Sequence, residues 1–302
     1  MQSLVLISQI IMAICLGYFI GPKLNSSLKN LAFRILPYFS YLLLAGVAYE
    51  FTLAIHQISQ PELILPTALI ISLSTSIASF ITCLITYQVF DKNSIQGKVS
   101  LKLFLNAIKN ISHAFFALMV GATIGIFSLW QNLDFVFNSW YLLLVFIFLI
   151  GIELAFTRFD RSWLSWKILI VPCAAIIGSS LAAVFCAYLI QGLSLREIVA
   201  LSQGYGWYSM SGILFTQLHS TELGGIALLT DLFREIFAIL LMYCFGWRFP
   251  RSAISSAGAT SMDATLAMVK QSCGTHYVPH AMVSGVILSL LAPIMISLIL
   301  IA

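Results

Sequence analysis

Apolar runs, each ended by charges or turn-forming residues, recur along the chain at 4–20, 35–55, 63–89, 103–129, 140–157, 168–190, 223–247 and 281–301. A bilayer core about 30 Å thick takes about 20 apolar residues per helical crossing. The pattern therefore predicts eight crossings. Lipid offers backbone N–H and C=O groups no outside partner, so each crossing is expected to be a helix. The predicted fold class is an all-α polytopic membrane protein, with residues 1–302 forming a single transmembrane domain.

Orientation follows from the loops, because cytoplasmic loops carry the excess of Lys and Arg. The first loop region has Lys23, Lys29 and Arg34, and the third has Lys92, Lys98, Lys102 and Lys109. The fifth has Arg158, Arg161 and Lys167, and the turn after the seventh run has Arg248 and Arg251. Twelve of the fifteen basic residues thus fall on one side, leaving Arg196, Arg234 and Lys270. That side is assigned to the cytoplasm, which puts the N-terminus outside.

This assignment requires the sixth run to end outside and the seventh to begin there. The segment between them, residues 199–219, cannot then cross. It is too apolar for a plain loop and too rich in Gly and Ser for a simple span, so it is expected to re-enter from outside. Residues 253–275 have the same mixed character after the basic turn RFPR. They are expected to form a second re-entrant or broken helix, from inside, and the eighth run then carries the C-terminus outside. Irregular backbone is tolerated at membrane depth only where protein or a water-filled cavity covers it. Two Gly-interrupted segments from opposite faces are the pattern of inverted repeats in secondary transporters, which bind substrate and ions where broken helices meet. No residue-level repeat accompanies it.

Composition agrees with a membrane setting: 60% of residues are hydrophobic, only 9% are charged, and the formal charge is +4. No basic cluster of the kind that holds nucleic acid is present. The six cysteines, Cys15, Cys83, Cys173, Cys186, Cys244 and Cys273, lack close pairs or ligand spacing and read as small hydrophobes. The first apolar run has no basic residue before it, unlike a cleaved signal peptide, so it is expected to be retained. No protease, hydrolase or phosphate-binding motif appears. His276 and His280 lack a third metal ligand, and Pro279 separates them. No catalytic residue, resident metal or cofactor is expected.

Ionisable residues within a span cost about 2.5–3.5 kcal/mol at its centre, so each needs an explanation. Glu50 and Glu153 sit near span ends, where water is within reach. Asp231 and Glu235 in TDLFREIFAIL are four residues apart on one helix face, with Arg234 beside them. One Arg cannot neutralise both acids. Asp263 lies in GATSMDATL, within the second interrupted segment, with Thr260 and Ser261 just before it. Cavity-facing carboxylates from two elements suit an ammonium group or its exchange for protons, because burial and a nearby cation push a carboxyl's proton affinity in opposite directions. The segment GYGWYSMSG adds Tyr205, Trp207 and Tyr208, whose ring faces attract cations. It also supplies the hydroxyls of Ser209 and Ser211. Free amides at a broken helix can hold a carboxylate. Together these groups suit a zwitterion with an extra positive charge.

The runs GYGWYSMSGILFT, DLFREIFAIL, GATSMDATL and VPHAMVSGVILSLLAPI, covering about residues 199–295, resemble the LysO family of bacterial lysine exporters. Before them the likeness is mainly hydropathy, with LLLVFIFLIGIEL a modest local match. The resemblance implies export of L-lysine and its analogue thialysine across the inner membrane, eight spans and both termini periplasmic. It also implies an essential pair of intramembrane acids at Glu235 and Asp263. The chain departs from the family pattern at Ala267, where members often have Pro, and at Ser284, where they often have His. The expected activity is antiport of a lysine-like cationic amino acid against H+ or Na+. A sodium-coupled carrier of small carboxylates and a membrane receptor that binds without transporting are the alternatives.

Overall fold

The computed structural model describes residues 2–54, 61–90, 101–131, 138–156 and 165–301. Lys92, Lys98, Arg158 and Arg161, assigned above to loops, lie outside the described residues.

Eight long helices coincide with the eight apolar runs. They are α1 (Gln2–Ile20), α2 (Ser26–Ala54), α3 (Pro61–Phe90), α4 (Leu101–Trp130), α5 (Ser139–Phe156), α6 (Trp166–Leu189), α9 (Thr221–Phe245) and α12 (Val278–Ile301). Between them lie the short helices α7 (Leu195–Leu201), α8 (Tyr208–Leu218), α10 (Pro250–Ala257) and α11 (Leu266–Met268). Helix α2 begins nine residues before its apolar run and bends by 42° between Ser26–Leu36 and Tyr38–Ala54. The bend falls at Pro37, which removes a backbone donor and cannot continue a straight helix. Among the described residues, Pro61–Tyr87, Ser112–Trp130, Ser139–Phe156, Trp166–Leu189 and Thr275–Ile301 are long and apolar enough to cross a membrane, and bent α2 makes a sixth. Helix α9 is set apart by Glu222, Asp231, Arg234 and Glu235, which an ordinary span does not carry. The molecule is an all-α, multi-pass membrane protein.

The chain folds into two compact, interleaved units. The first takes Met1–Pro61, Ser112–Phe159 and Gly212–Gly225; the second takes Glu62–Ile111, Asp160–Ser211 and Ile226–Ala302. In the first unit glycines bring helices into backbone contact. A Cβ added at Gly151 would lie 2.4 Å from Ile14 O, and one at Gly17 would lie 2.1 Å from Phe148 O, so α1 and α5 touch through both. Gly121 and Gly125 do the same for α4 on α2, where a Cβ would meet Ala45 O at 2.0 Å and the Thr52 side chain at 2.8 Å. Lipid supplies no hydrophobic drive between helices, so such close approach is how they associate. Glu50 caps α5 from α2: its carboxylate accepts from Ser139 N (2.8 Å) and Ser139 Oγ (2.7 Å), which answers its sequence reading with a specific partner. Glu153 is exposed on α5.

The second unit holds both interrupted segments. Its apolar core joins Phe80, Cys83 and Tyr87 of α3 to Val171 and Ala174 of α6, Met242 of α9 and Ile254 of α10. Helices α3 and α6 pack closely at Gly178, where a Cβ would lie 2.5 Å from Ser79 Cα. Arg196 on α7 donates to Ile299 O (2.6 Å) and to Leu300 O, capping α12 where its carbonyls run out of intrahelical partners. Arg251 of α10 donates to His280 Nε2 (3.2 Å) and lies 4.5 Å from the centre of the Tyr87 ring.

Candidate functional site

Both interrupted segments are broken helices, and their breaks touch. In the first, α7 starts with a capping box between Ser194 and Glu197 and stops at Leu201. The chain then passes through left-handed backbone at Tyr205 (φ 52°) and Gly206 (φ 88°) before α8 begins at Tyr208. In the second, α10 stops at Gly258 (φ 64°), and a tight turn over Gly258–Met262 leads to Asp263, α11 and a π-helical turn at Val269–Cys273. Ala259 N donates to Tyr205 O at 2.8 Å. A Cβ on Gly258 would lie 2.4 Å from that same oxygen, and one on Gly206 would lie 3.3 Å from Ala257 O. Glycine at both breaks lets the two backbones cross in contact.

Helix α9 passes this crossing and presents three charges to the second unit. Asp231, 1% exposed, accepts from Gly206 N at 2.8 Å through Oδ1. Ser211 Oγ lies beside its carboxylate without a well-formed hydrogen bond. Glu235, 2% exposed, is hydrogen-bonded by the Tyr208 hydroxyl and feels the repulsion of Asp263, while its Oε2 has no partner among the described residues. Asp263 is exposed. The structure therefore brings Glu235, Tyr208 and Asp263 into one electrostatic neighbourhood beside the second break, with one acid buried and one exposed.

Arg234 attracts Asp231 electrostatically, but its hydrogen bonds go to neither acid. Its Nη1 donates to Ser179 Oγ (3.0 Å), its Nη2 to Ser79 Oγ (3.2 Å) and its Nε to Ser256 O (3.3 Å). Its guanidinium carbon lies 5.6 Å from the centre of the Tyr205 ring. None of these acceptors is a carboxylate. Among the described residues, Glu235 thus has no cation among its hydrogen-bond partners.

The remaining candidates divide. Ser209 is buried and Trp207 half-buried at the start of α8. Thr260 and Ser261 use their hydroxyls to fix the second break: Thr260 Oγ1 donates to Ala257 O (3.0 Å), and Ser261 Oγ to Gly258 O (2.7 Å) and Ala281 O (3.0 Å). The Tyr205 hydroxyl donates to Gln203 Oε1.

The profile of the lysine exporter LysO family matches residues 115–300. The chain belongs to this family. It is 36% identical over 161 residues to the lysine exporter LysO of Escherichia coli K12, a match covering 53% of this chain and 54% of that protein. It is 29% identical over 161 residues to a Haemophilus influenzae protein whose name proposes lysine export, covering 53% of this chain and 82% of the relative. The match thus spans about half the length of the Escherichia coli relative. No solved structure matches the chain.

Within this family member, the matched region holds both breaks, Glu235 and Asp263. Of the two departures from the family pattern, Ala267 is exposed in α11, and Ser284 is buried on α12 with an Oγ that has no partner among the described residues. Sequence reasoning missed Ser79, Ser179 and Ser256, which hold Arg234. A signal existed: Ser72, Thr75, Ser76 and Ser79 lie three and four residues apart on one stripe of the otherwise apolar α3.

Proposed function

We propose that this protein is a secondary active transporter that exports L-lysine and analogues such as thialysine across the bacterial inner membrane, in antiport with H+ or Na+. Glu235 and Asp263 receive the cargo ammonium in turn with the coupling cation. Trp207, Tyr208 and Ser209, at the start of α8, line the cargo path. Both termini face the periplasm, and the two broken helices re-enter from opposite faces.

The observation that carries this reading is the buried Glu235 carboxylate. Among the described residues it has one orphan oxygen, a tyrosine hydroxyl on its carboxylate and a second acid close enough to repel it, yet no cation among its hydrogen-bond partners. A buried carboxylate beside another acid is costly unless a positive partner arrives. An ammonium group or a proton meets that need, and competition between them couples cargo to ion. Membership of a lysine exporter family makes the ammonium of lysine the first choice.

The test is efflux of labelled lysine from loaded, sealed vesicles. The parental protein should export lysine, while Glu235→Gln and Asp263→Asn, inserted at parental levels, should not. Glu62→Gln, an exposed acid at the start of α3, should behave as the parent. Parental rates for both acid-pair variants would sink the mechanism. Movement of dicarboxylates with indifference to lysine would sink the cargo assignment.

A further inference from the structure

We infer that Asp231 and Arg234 are positioning residues that supply counter-charges to the two helix ends left in the interior by the crossing, and that neither is a ligand of the transported molecule. The broken backbone creates this need. A helix end carries about half an elementary charge, positive at the N-terminus and negative at the C-terminus. Four N–H groups at one end and four carbonyls at the other lack intrahelical partners. At a surface, water answers both. Here α8 starts and α10 stops among buried residues, with Gly204, Tyr205 and Gly206 on one side and Ser256, Ala257 and Gly258 on the other.

Asp231 stands at the positive end. Its Oδ1 takes the Gly206 N–H at 2.8 Å, two residues before α8 begins, and Ser211 in the first turn flanks the carboxylate. Gly204 makes the room, since a Cβ there would lie 1.8 Å from Asp231 Oδ2. Arg234 stands at the negative end. Its Nε donates to Ser256 O at 3.3 Å, one of the last carbonyls of α10, while Ser79 and Ser179 fix the other two nitrogens. The two residues are three apart on α9, so one helix delivers an anion to the N-terminal end and a cation to the C-terminal end. The sign is complementary at both, and exchanging the two residues would make it repulsive at both. Each is 1% exposed, and the two attract each other along α9, so removing one leaves the other a lone buried charge.

This assignment sharpens the transport reading and rests on it only for the functional consequence. With Asp231 and Arg234 committed to the crossing, the Glu235 carboxyl is left to the cargo and the coupling cation. The two roles predict different double-mutant behaviour. Asp231→Asn and Arg234→Gln each retain hydrogen-bonding atoms and lose the charge. Each single variant should lower the apparent melting temperature of the purified protein and cut the maximal rate of lysine export about tenfold, with little change in KM. The double variant Asp231→Asn/Arg234→Gln strands neither charge and should recover melting temperature and rate to within about threefold of the parent.

Losses that simply add in the double variant would overturn the inference, as would parental behaviour of both singles. So would a raised KM at an unchanged maximal rate, which marks a cargo ligand. Should the single variants fail to accumulate, accumulation of the double supports the inference and its failure overturns it. The melting measurement needs no transport, so rescue there with no lysine flux in any variant, the parent included, would reject the cargo assignment and leave the crossing intact.

Discussion

Replacing Gly258 by Ala tests the crossing directly, because two separate costs fall on that one atom. At φ 64° the residue lies in left-handed backbone, which costs an L-residue about 1–3 kcal/mol. The new Cβ would also sit 2.4 Å from Tyr205 O, against ordinary contact at 3.4–4 Å. Backbone is on both sides, so relief requires the breaks to separate by about 1 Å and weakens the Ala259 N to Tyr205 O hydrogen bond. Losing a buried hydrogen bond costs about 1–3 kcal/mol. The sum is about 2–6 kcal/mol. Gly274 is the internal control: its φ is 103°, but nothing lies within 4 Å of an added Cβ. Gly274→Ala should therefore carry the backbone cost alone, about 1–3 kcal/mol. Gly206→Ala, with φ 88° and Ala257 O at 3.3 Å, should fall between them. Ranked by apparent melting temperature in detergent, Gly258→Ala should lie about 2–12 °C below Gly274→Ala, at roughly 2–4 °C per kcal/mol. Equal losses at Gly258 and Gly274 would refute the contact between the two breaks, and with it the account of the site.

Tyr208→Phe removes the hydroxyl that holds the Glu235 carboxylate and should slow lysine export several-fold at normal accumulation; an unchanged KM and maximal rate would return Tyr208 to a packing role. Trp207→Ala should weaken export while the protein still inserts, and unchanged kinetics would make its ring an interfacial anchor instead. Cysteines introduced at 56–60 and 130–139 should react with an impermeant reagent added to intact cells, whereas labelling at 91–98 would invert the topology. Gly121→Leu should impair accumulation, because α4 meets α2 backbone where even a Cβ would lie 2.0 Å from Ala45 O.

Much of this fold was legible because lipid imposes a uniform rule on the sequence. All eight apolar runs became long helices, most with ends within three residues of the expectation, since a span must satisfy its own backbone and has few ways to do so. The exception, α2, runs back through Lys29, which lies 3.7 Å from the centre of the Phe156 ring. A basic residue there marks a loop by charge but packs as part of a helix. The breaks were legible as Gly-rich and Ser-rich stretches. Their meeting point was not, because Gly206 and Gly258 are fifty-two residues apart and nothing local couples them.

Arg234 shows where sequence proximity misleads. Next to Glu235 and three residues after Asp231, it reads as able to pair with either; it attracts Asp231 but hydrogen-bonds neither. Successive residues on a helix point about 100° apart, however, so adjacency along α9 separates Arg234 from Glu235 in space. Its partners come from positions 79, 179 and 256, brought together only by the packing of α3, α6 and α10. This displacement is the condition for the proposed chemistry. An arginine that faced Glu235 would have supplied the positive charge permanently and left the cargo ammonium nothing to neutralise. Directed instead at the end of α10, it leaves the Glu235 carboxylate open to the exchangeable partner proposed for it.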